Sequence, residues 1–327
     1  MSNENSMMMY ESGVTPFAMA ALTDSSDHKT FNSLATLFSD SPGNSPVIRP
    51  NGVLTGGNVS PASPSANNSV DVAALTCNLA GVETNVAAAA GTAITRASTN
   101  VASISSVTVT SAGAIAVIKG TDSTNTSFSE TRGAAGGPPF IPVGSIELAQ
   151  VRTTSNVAAA IKGSEILQVP GTHKERADFP TYEIKYGEGK VLFNSILALS
   201  HTGGLPKAVF SSYAEPIFQE QPYGNDFTPA ETSNSVTSTQ VYGATIGASS
   251  SSLSQGSFTA ILKDGITDDI ITRKGQTLWF KFFQDRTKLP HILTQGKLGL
   301  SRVFAASDNP KVTCTISATT QSIEKAS

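Results

Sequence analysis

Alternating apolar and polar positions, punctuated by Gly, Asn and Asp, fill the last third of the chain. Residues 239–246 lead through a Ser-rich break into 256–262, and 277–283, 296–304 and 311–317 follow. β-Branched and aromatic side chains at every second position predict antiparallel strands with one face on a core. One short helical insert, residues 267–274, interrupts them and stops at Gly275. Its Asp268 and Asp269 favour the positive end of a helix.

The first 47 residues read as an arm. Asp24-Ser-Ser-Asp27 offers N-caps, and Phe31, Leu34, Leu37 and Phe38 fall on one helical face before Ser41-Pro42-Gly43. This predicts a short amphipathic helix that packs on its own domain or reaches a neighbour, so losing residues 1–40 should leave a folded subunit that polymerises poorly.

Residues 48–162 form a first β domain, with strands expected at 70–78, 84–88, 103–110, 114–118 and 146–152. Its side chains are small, so a thin sandwich is expected, and Gly133-Ala-Ala-Gly-Gly-Pro-Pro139 makes a bend ahead of Phe140. Residues 163–327 form a second domain that holds nearly all the aromatics and hence most of the core. The fold class is all-β: an antiparallel sandwich or barrel with one short flanking helix, a smaller β domain and an N-terminal arm.

Composition narrows the function. Charged residues make up 14% of the 327, well under the ~25% of an ordinary soluble domain, and Ser, Thr, Asn, Ala and Gly take their place. Such a chain suits flat, hydroxyl-rich surfaces that bury against copies of themselves. With a net charge of -3 and no basic run, no phosphate-gripping face is visible. The mixed-sign stretch His173-Lys-Glu-Arg-Ala-Asp178 reads as a solvated turn or a subunit salt-bridge site. The polar, acidic start is not a signal peptide, and no apolar run approaches the ~20 residues of a membrane span.

No residue set spells out a catalytic, cofactor or metal site. There is no Gly-x-Ser-x-Gly elbow. His201, in Ser200-His-Thr-Gly-Gly204, reads as a hydrogen-bonded turn residue, and Gly187-Glu-Gly-Lys190 as a hairpin turn rather than a phosphate loop. Cys77 and Cys314 read as buried free thiols. Phe280 and Phe282 share a core face with Leu278. Trp279 and Phe283, with Lys281 between them, point the other way, into core if the strand is covered on both sides and into an interface if it is not.

In its order of elements the chain resembles the tail tube (major tail) proteins of tailed bacteriophages, most of all over residues 163–318. The resemblance is carried by Phe227-Thr-Pro229 before Ser238-Thr-Gln-Val-Tyr-Gly243, then Gln255-Gly-Ser-Phe-Thr-Ala260 and the 268–274 helix. Leu278-Trp-Phe-Lys-Phe-Phe283 with Asp285-Arg286, Gln295-Gly-Lys-Leu-Gly299 and Val312-Thr-Cys-Thr-Ile-Ser317 complete it. Gly136-Gly-Pro-Pro-Phe-Ile-Pro-Val-Gly-Ser-Ile-Glu-Leu-Ala149 is similar to pieces of phage tail, baseplate and fibre proteins. About half the chain is extra to the minimal family pattern. The resemblance implies a non-enzymatic virion protein, made in the host cytoplasm, whose copies close into rings and stack into a tube with other tail proteins. Rings would be hexameric if each chain supplies one tube module and trimeric if both halves do. DNA would pass through the lumen without tight binding; neither membrane nor cofactor is implied. Polar strand positions of the second domain, with Glu183 and Asp264, are the candidate lumen residues. Other readings are a capsid decoration, collar or baseplate component, and a receptor- or glycan-binding module or depolymerase.

Overall fold

The computed structural model describes residues 5–169, 175–306 and 308–326, and nearly all of its regular structure is β. A nine-stranded antiparallel sheet dominates. Its order is β18 (Gly224–Thr228), β21 (Gly256–Ile261), β24 (Lys311–Ser317), β23 (His291–Val303), β22 (Thr277–Phe283), β1 (Met7–Ala21), β17 (Val209–Glu220) and β4 (Val47–Pro50). The ninth, β25 (Ile323–Lys325), pairs with the first residues of β23 beside β24. Period-two burial works as expected: in β24 Val312, Cys314 and Ile316 are buried and the residues between them are exposed.

The sheet curls on itself. Gln221 N–H donates to the Met8 carbonyl at 2.8 Å, and the Phe227 ring stacks on Phe282 with centroids 4.7 Å apart, so β18 swings across to β1 and β22. Inside lie Tyr10, Phe258, Leu278, Phe280, Leu298 and Cys314, each from alternate positions of its strand. A cleft of about 340 Å³, lined by Met8, Asn225, Phe227 and Phe282 among others, remains along the seam. The one-turn helix α1 (Asp269–Thr272) puts Ile270 into the same core, shorter than the helix expected there.

The N-terminal residues are a correction. β1 is no arm: it lies inside the sheet, paired with β17 on one side and β22 on the other. The expected helix does not form. Asp24 accepts the amides of Ser26 and His28, Asp27 accepts those of Lys29 and Thr30, and these carboxylates turn the chain instead of capping a helix. The chain then enters a small sheet of β2 (Thr23–Asp24), β3 (Thr30–Asn32), β16 (Lys190–Phe193) and β15 (Tyr182–Lys185). The supposed apolar face is scattered: Phe31, Phe38 and Leu37 serve three different clusters, and Leu34 is exposed.

Between β4 and β17 the chain builds the smaller unit as an insertion. Three sheets enclose one core: β5 (Gly52–Gly56), β8 (Leu75–Leu79) and β9 (Val82–Val86); β6 (Val59–Pro61), β7 (Ser69–Val72) and β10 (Ala89–Ala93); β12 (Ile115–Lys119), β11 (Ser103–Val109), β13 (Ile146–Thr153) and β14 (Ile166–Gln168). The core is aliphatic, with Cys77 and no aromatic ring, as the small side chains imply. The strand expected over 70–78 is two strands, β7 and β8, in different sheets. The larger unit is therefore discontinuous, made from residues before 51 and after 174, and the boundary expected near 48 separates β4 from the sheet it completes. Where the chain leaves and returns, Val53 bridges Arg176, and Ile141 bridges His201.

Candidate assembly surface

β18 and β21 are paired with Thr228 opposite Ser257, and the chain between them leaves the sheet as a ribbon. Ser254 N–H donates to the Glu231 carbonyl at 2.8 Å, and Glu231 N–H donates to Ser254 Oγ at 3.0 Å, closing the neck. Beyond it, β19 (Thr232–Val241) and β20 (Ala244–Leu253) pair over ten residues each and turn at Tyr242-Gly243. Gly243, the second turn residue, has φ +83°, a left-handed conformation that glycine adopts without steric cost. The strand expected over 239–246 is thus the tip of a hairpin, and the Ser-rich break is half of β20. Period-two patterning hides the reversal because small polar residues serve equally as strand and as turn.

The ribbon pairs with no other described strand, so each of its strands keeps an open edge. Edges of this kind are usually blunted by charge or Pro. From Thr232 to Leu253 there is no Asp, Glu, Lys, Arg or Pro. Ser233 faces Ser252 with hydroxyls 3.0 Å apart, and Ser235 faces Ser250 at 2.7 Å. Val236 and Tyr242 are exposed.

Next to the neck, the outer face of β21, β24 and β23 is also open. Register lines up Ser257, Thr315 and Gly299 in one row, and Thr259, Thr313 and Ser301 in the next. These positions are exposed or half-exposed. The other half of the outer face is covered. Trp279 is buried there with Leu37, Leu293 and Ile323, and Lys281 lies 5.5 Å from the Phe218 ring and 5.0 Å from Phe283. The second face of β22 is therefore core at Trp279, the covered-strand alternative.

The remaining sequence candidates scatter. Glu183 is exposed on β15, where it pairs with Lys185, and Asp264 accepts the amides of Ile266 and Thr267 in a loop, so neither lies on the open face. Gly187–Lys190 forms the hairpin turn, and the Cβ of any residue replacing Gly189 (φ +62°) would sit 2.1 Å from the Ala35 carbonyl oxygen. Arg176 and Asp178 form an exposed ion pair at 2.9 Å; His173 and Lys174 lie outside the described residues. Cys77 and Cys314 are free and buried in separate cores.

His201 is buried in its turn with Nε2 2.8 Å from the Ser145 carbonyl, and burial holds the imidazole below its usual pKa. It belongs to a polar junction between the two units. Nearby, Glu175 accepts Ser200 Oγ–H at 2.7 Å, Lys207 donates to the Arg176 and Phe179 carbonyls, and Glu147 accepts Arg132 at 2.5 Å. Periodicity gave no warning of Glu11, a buried carboxylate beside β22. It accepts Ser39 Oγ–H and the Trp279 amide, and it borders a cleft of about 270 Å³ with Arg273, Asn44 and Gln276. Glu175, Lys207, Glu147 and Glu11 each have a partner elsewhere in the chain.

No protein-family model, curated protein or solved structure matches this chain.

Proposed function

We propose that this chain is a structural subunit of a phage tail tube, not an enzyme, whose copies associate into rings and stack around a DNA-conducting lumen in the virion tail. The observation that carries the reading is the uncharged ribbon with two open edges, continuous with an open hydroxyl-rich sheet face. An isolated two-stranded ribbon has marginal stability in water, and a second copy supplies what it lacks without desolvating a charge. Ring closure removes the open edges that would otherwise drive aggregation. The Ser/Thr face suits a lumen: it wets DNA without exchanging counterions for a grip. The two units differ in architecture, which favours one tube module per chain and hence hexameric rings. Other tail proteins and the passing DNA are the partners, and synthesis is in the host cytoplasm.

The inserted unit favours a second reading, a collar or decoration protein, because it adds a separate folded body outside the sheet. Negative-stain electron microscopy of concentrated protein separates the two. Hollow tubes or stacked rings support the tube; monomers or small closed trimers at every concentration favour the second reading.

A further inference from the structure

At the end of β18 and β21 opposite the ribbon, large apolar side chains stand in solvent. Ile261 N–H donates to the Tyr223 carbonyl at 3.2 Å, Ile261 lies opposite Lys311, and Lys311 lies opposite Val303. The starts of β18 and β24 and the ends of β21 and β23 therefore meet at one rim. Asp268 accepts the amides of Lys263, Asp264 and Gly265 and folds the following loop onto that rim, bringing Ile266 with it. The Phe304 ring lies against Gly265, where an added Cβ would come 2.6 Å from the ring. Arg302 donates to the Gly265 carbonyl at 2.7 Å with its guanidinium 5.8 Å from the Phe304 centroid. The patch is thus built and braced, yet Tyr223 is 77%, Ile266 68%, Val303 61% and Phe304 56% exposed. Apolar residues gathered like this mark interaction sites more often than chance scatter does. Lys311, in the middle of the rim, is paired with Asp308 at 2.7 Å.

The ribbon leaves from the other ends of these same strands, at Thr228 and Gly256, and its ten-residue strands reach about 33 Å from the neck at ~3.3 Å per residue. Patch and ribbon neck therefore lie at opposite ends of one pair of strands. Copies repeated along the strand direction bring the tip of one toward the patch of the next. We infer that the Tyr242-Gly243 tip of one copy seats on the Tyr223, Ile261, Ile266, Val303 and Phe304 patch of a second copy, joining them head to tail. Charge fits this occupant: the ribbon carries none, so it strips no charge of its own of water and sets no like charge against the Lys311–Asp308 pair of the patch. An aromatic ring on a turn suits an apolar patch, since it buries a large area at low entropic cost. A contact between two different surfaces of one chain propagates a stack wherever its rotation does not close a ring.

This docking rests on the self-assembly reading, and a complementation experiment on the full chain tests them apart. Tyr242→Ser removes the tip anchor and Ile266→Asp charges the patch; both residues are exposed, so melting curves should match the native chain. Each variant alone should associate at least tenfold more weakly in sedimentation velocity. An equimolar mixture should form one junction, the Ile266→Asp tip on the Tyr242→Ser patch, and grow no further. Either variant assembling as the native chain does, or a mixture that fails to pair, overturns the docking while the tube reading stands. A native chain that never associates overturns both.

Discussion

The indole N–H of Trp279 donates to the carbonyl oxygen of Phe38 at 2.8 Å, fastening the segment after β3 onto the outer face of β22. Both residues are buried. Trp279→Phe leaves that carbonyl without its donor, at a cost of about 1–3 kcal/mol. Urea unfolding followed by circular dichroism checks it. A loss below a few tenths of a kcal/mol would mean that the bond contributes little.

The place of β1 reverses the expectation for the N-terminus. Removing residues 1–21 takes out a strand paired on both sides together with Met8 and Tyr10 of the core. The truncated chain should be insoluble or lack a cooperative melt, in place of a folded subunit that merely assembles poorly. A soluble product with the native melting temperature would contradict the placement.

Cys77 and Cys314 report on separate cores. Burial pushes the Cys77 thiol up to about 11 and the Cys314 thiol to about 12, so thiolate is scarce at pH 8 in the folded chain. Neither should react with a disulfide reagent until its own unit opens. Single-cysteine variants (Cys77→Ser, Cys314→Ser) labelled along a denaturant series should give two unfolding curves if the units open independently, and one if the junction couples them.

Glu175 ties stability to pH. Burial, with the Glu147 charge adding, raises its carboxyl from the ordinary 4.5 to about 7. The folded chain therefore holds a proton that the unfolded chain releases, so the contribution is full below 4.5 and is lost as pH rises through about 7. Lys207, lowered by burial to about 8, changes stability only above that value and stays out of the window. The stability of the native chain minus that of Glu175→Gln should fall between pH 5 and 7, by up to about 1.4 kcal/mol per unit. A flat difference would place the carboxyl near its ordinary value.

The open sheet face gives a functional prediction. Thr259→Lys with Thr313→Lys adds two cations side by side on neighbouring strands. If that face lines the lumen, assembly should be unchanged and DNA exit slowed, with the delay shrinking at higher salt. Unchanged infection kinetics with normal tails would remove this face from the lumen.

The sequence alone determined the all-β class, two strands to the residue (277–283 and 311–317), the turn at Gly187–Lys190 and the free cysteines. Each follows from local chemistry: β-branched and aromatic runs, with period-two burial over 311–317, glycine where φ is positive, and apolar surroundings for the thiols. Tertiary structure decided the rest. Phe31, Leu34, Leu37 and Phe38 fit a helix by spacing, but the neighbouring carboxylates bind backbone amides and the strands around them supply a pairing that no local pattern encodes. The Ser/Thr ribbon reads as a broken strand because its residues suit strand and turn alike, and only the cross-strand register fixes Tyr242-Gly243 as the tip. The discontinuous larger unit and the central place of β1 depend on pairings as distant as Tyr10 with Gln219 and Phe280, and the placing of ribbon and patch on nearer ones such as Gly224 with Ala260. Periodicity records which face of a strand is buried, and the partner that buries it emerges only when the chain closes on itself.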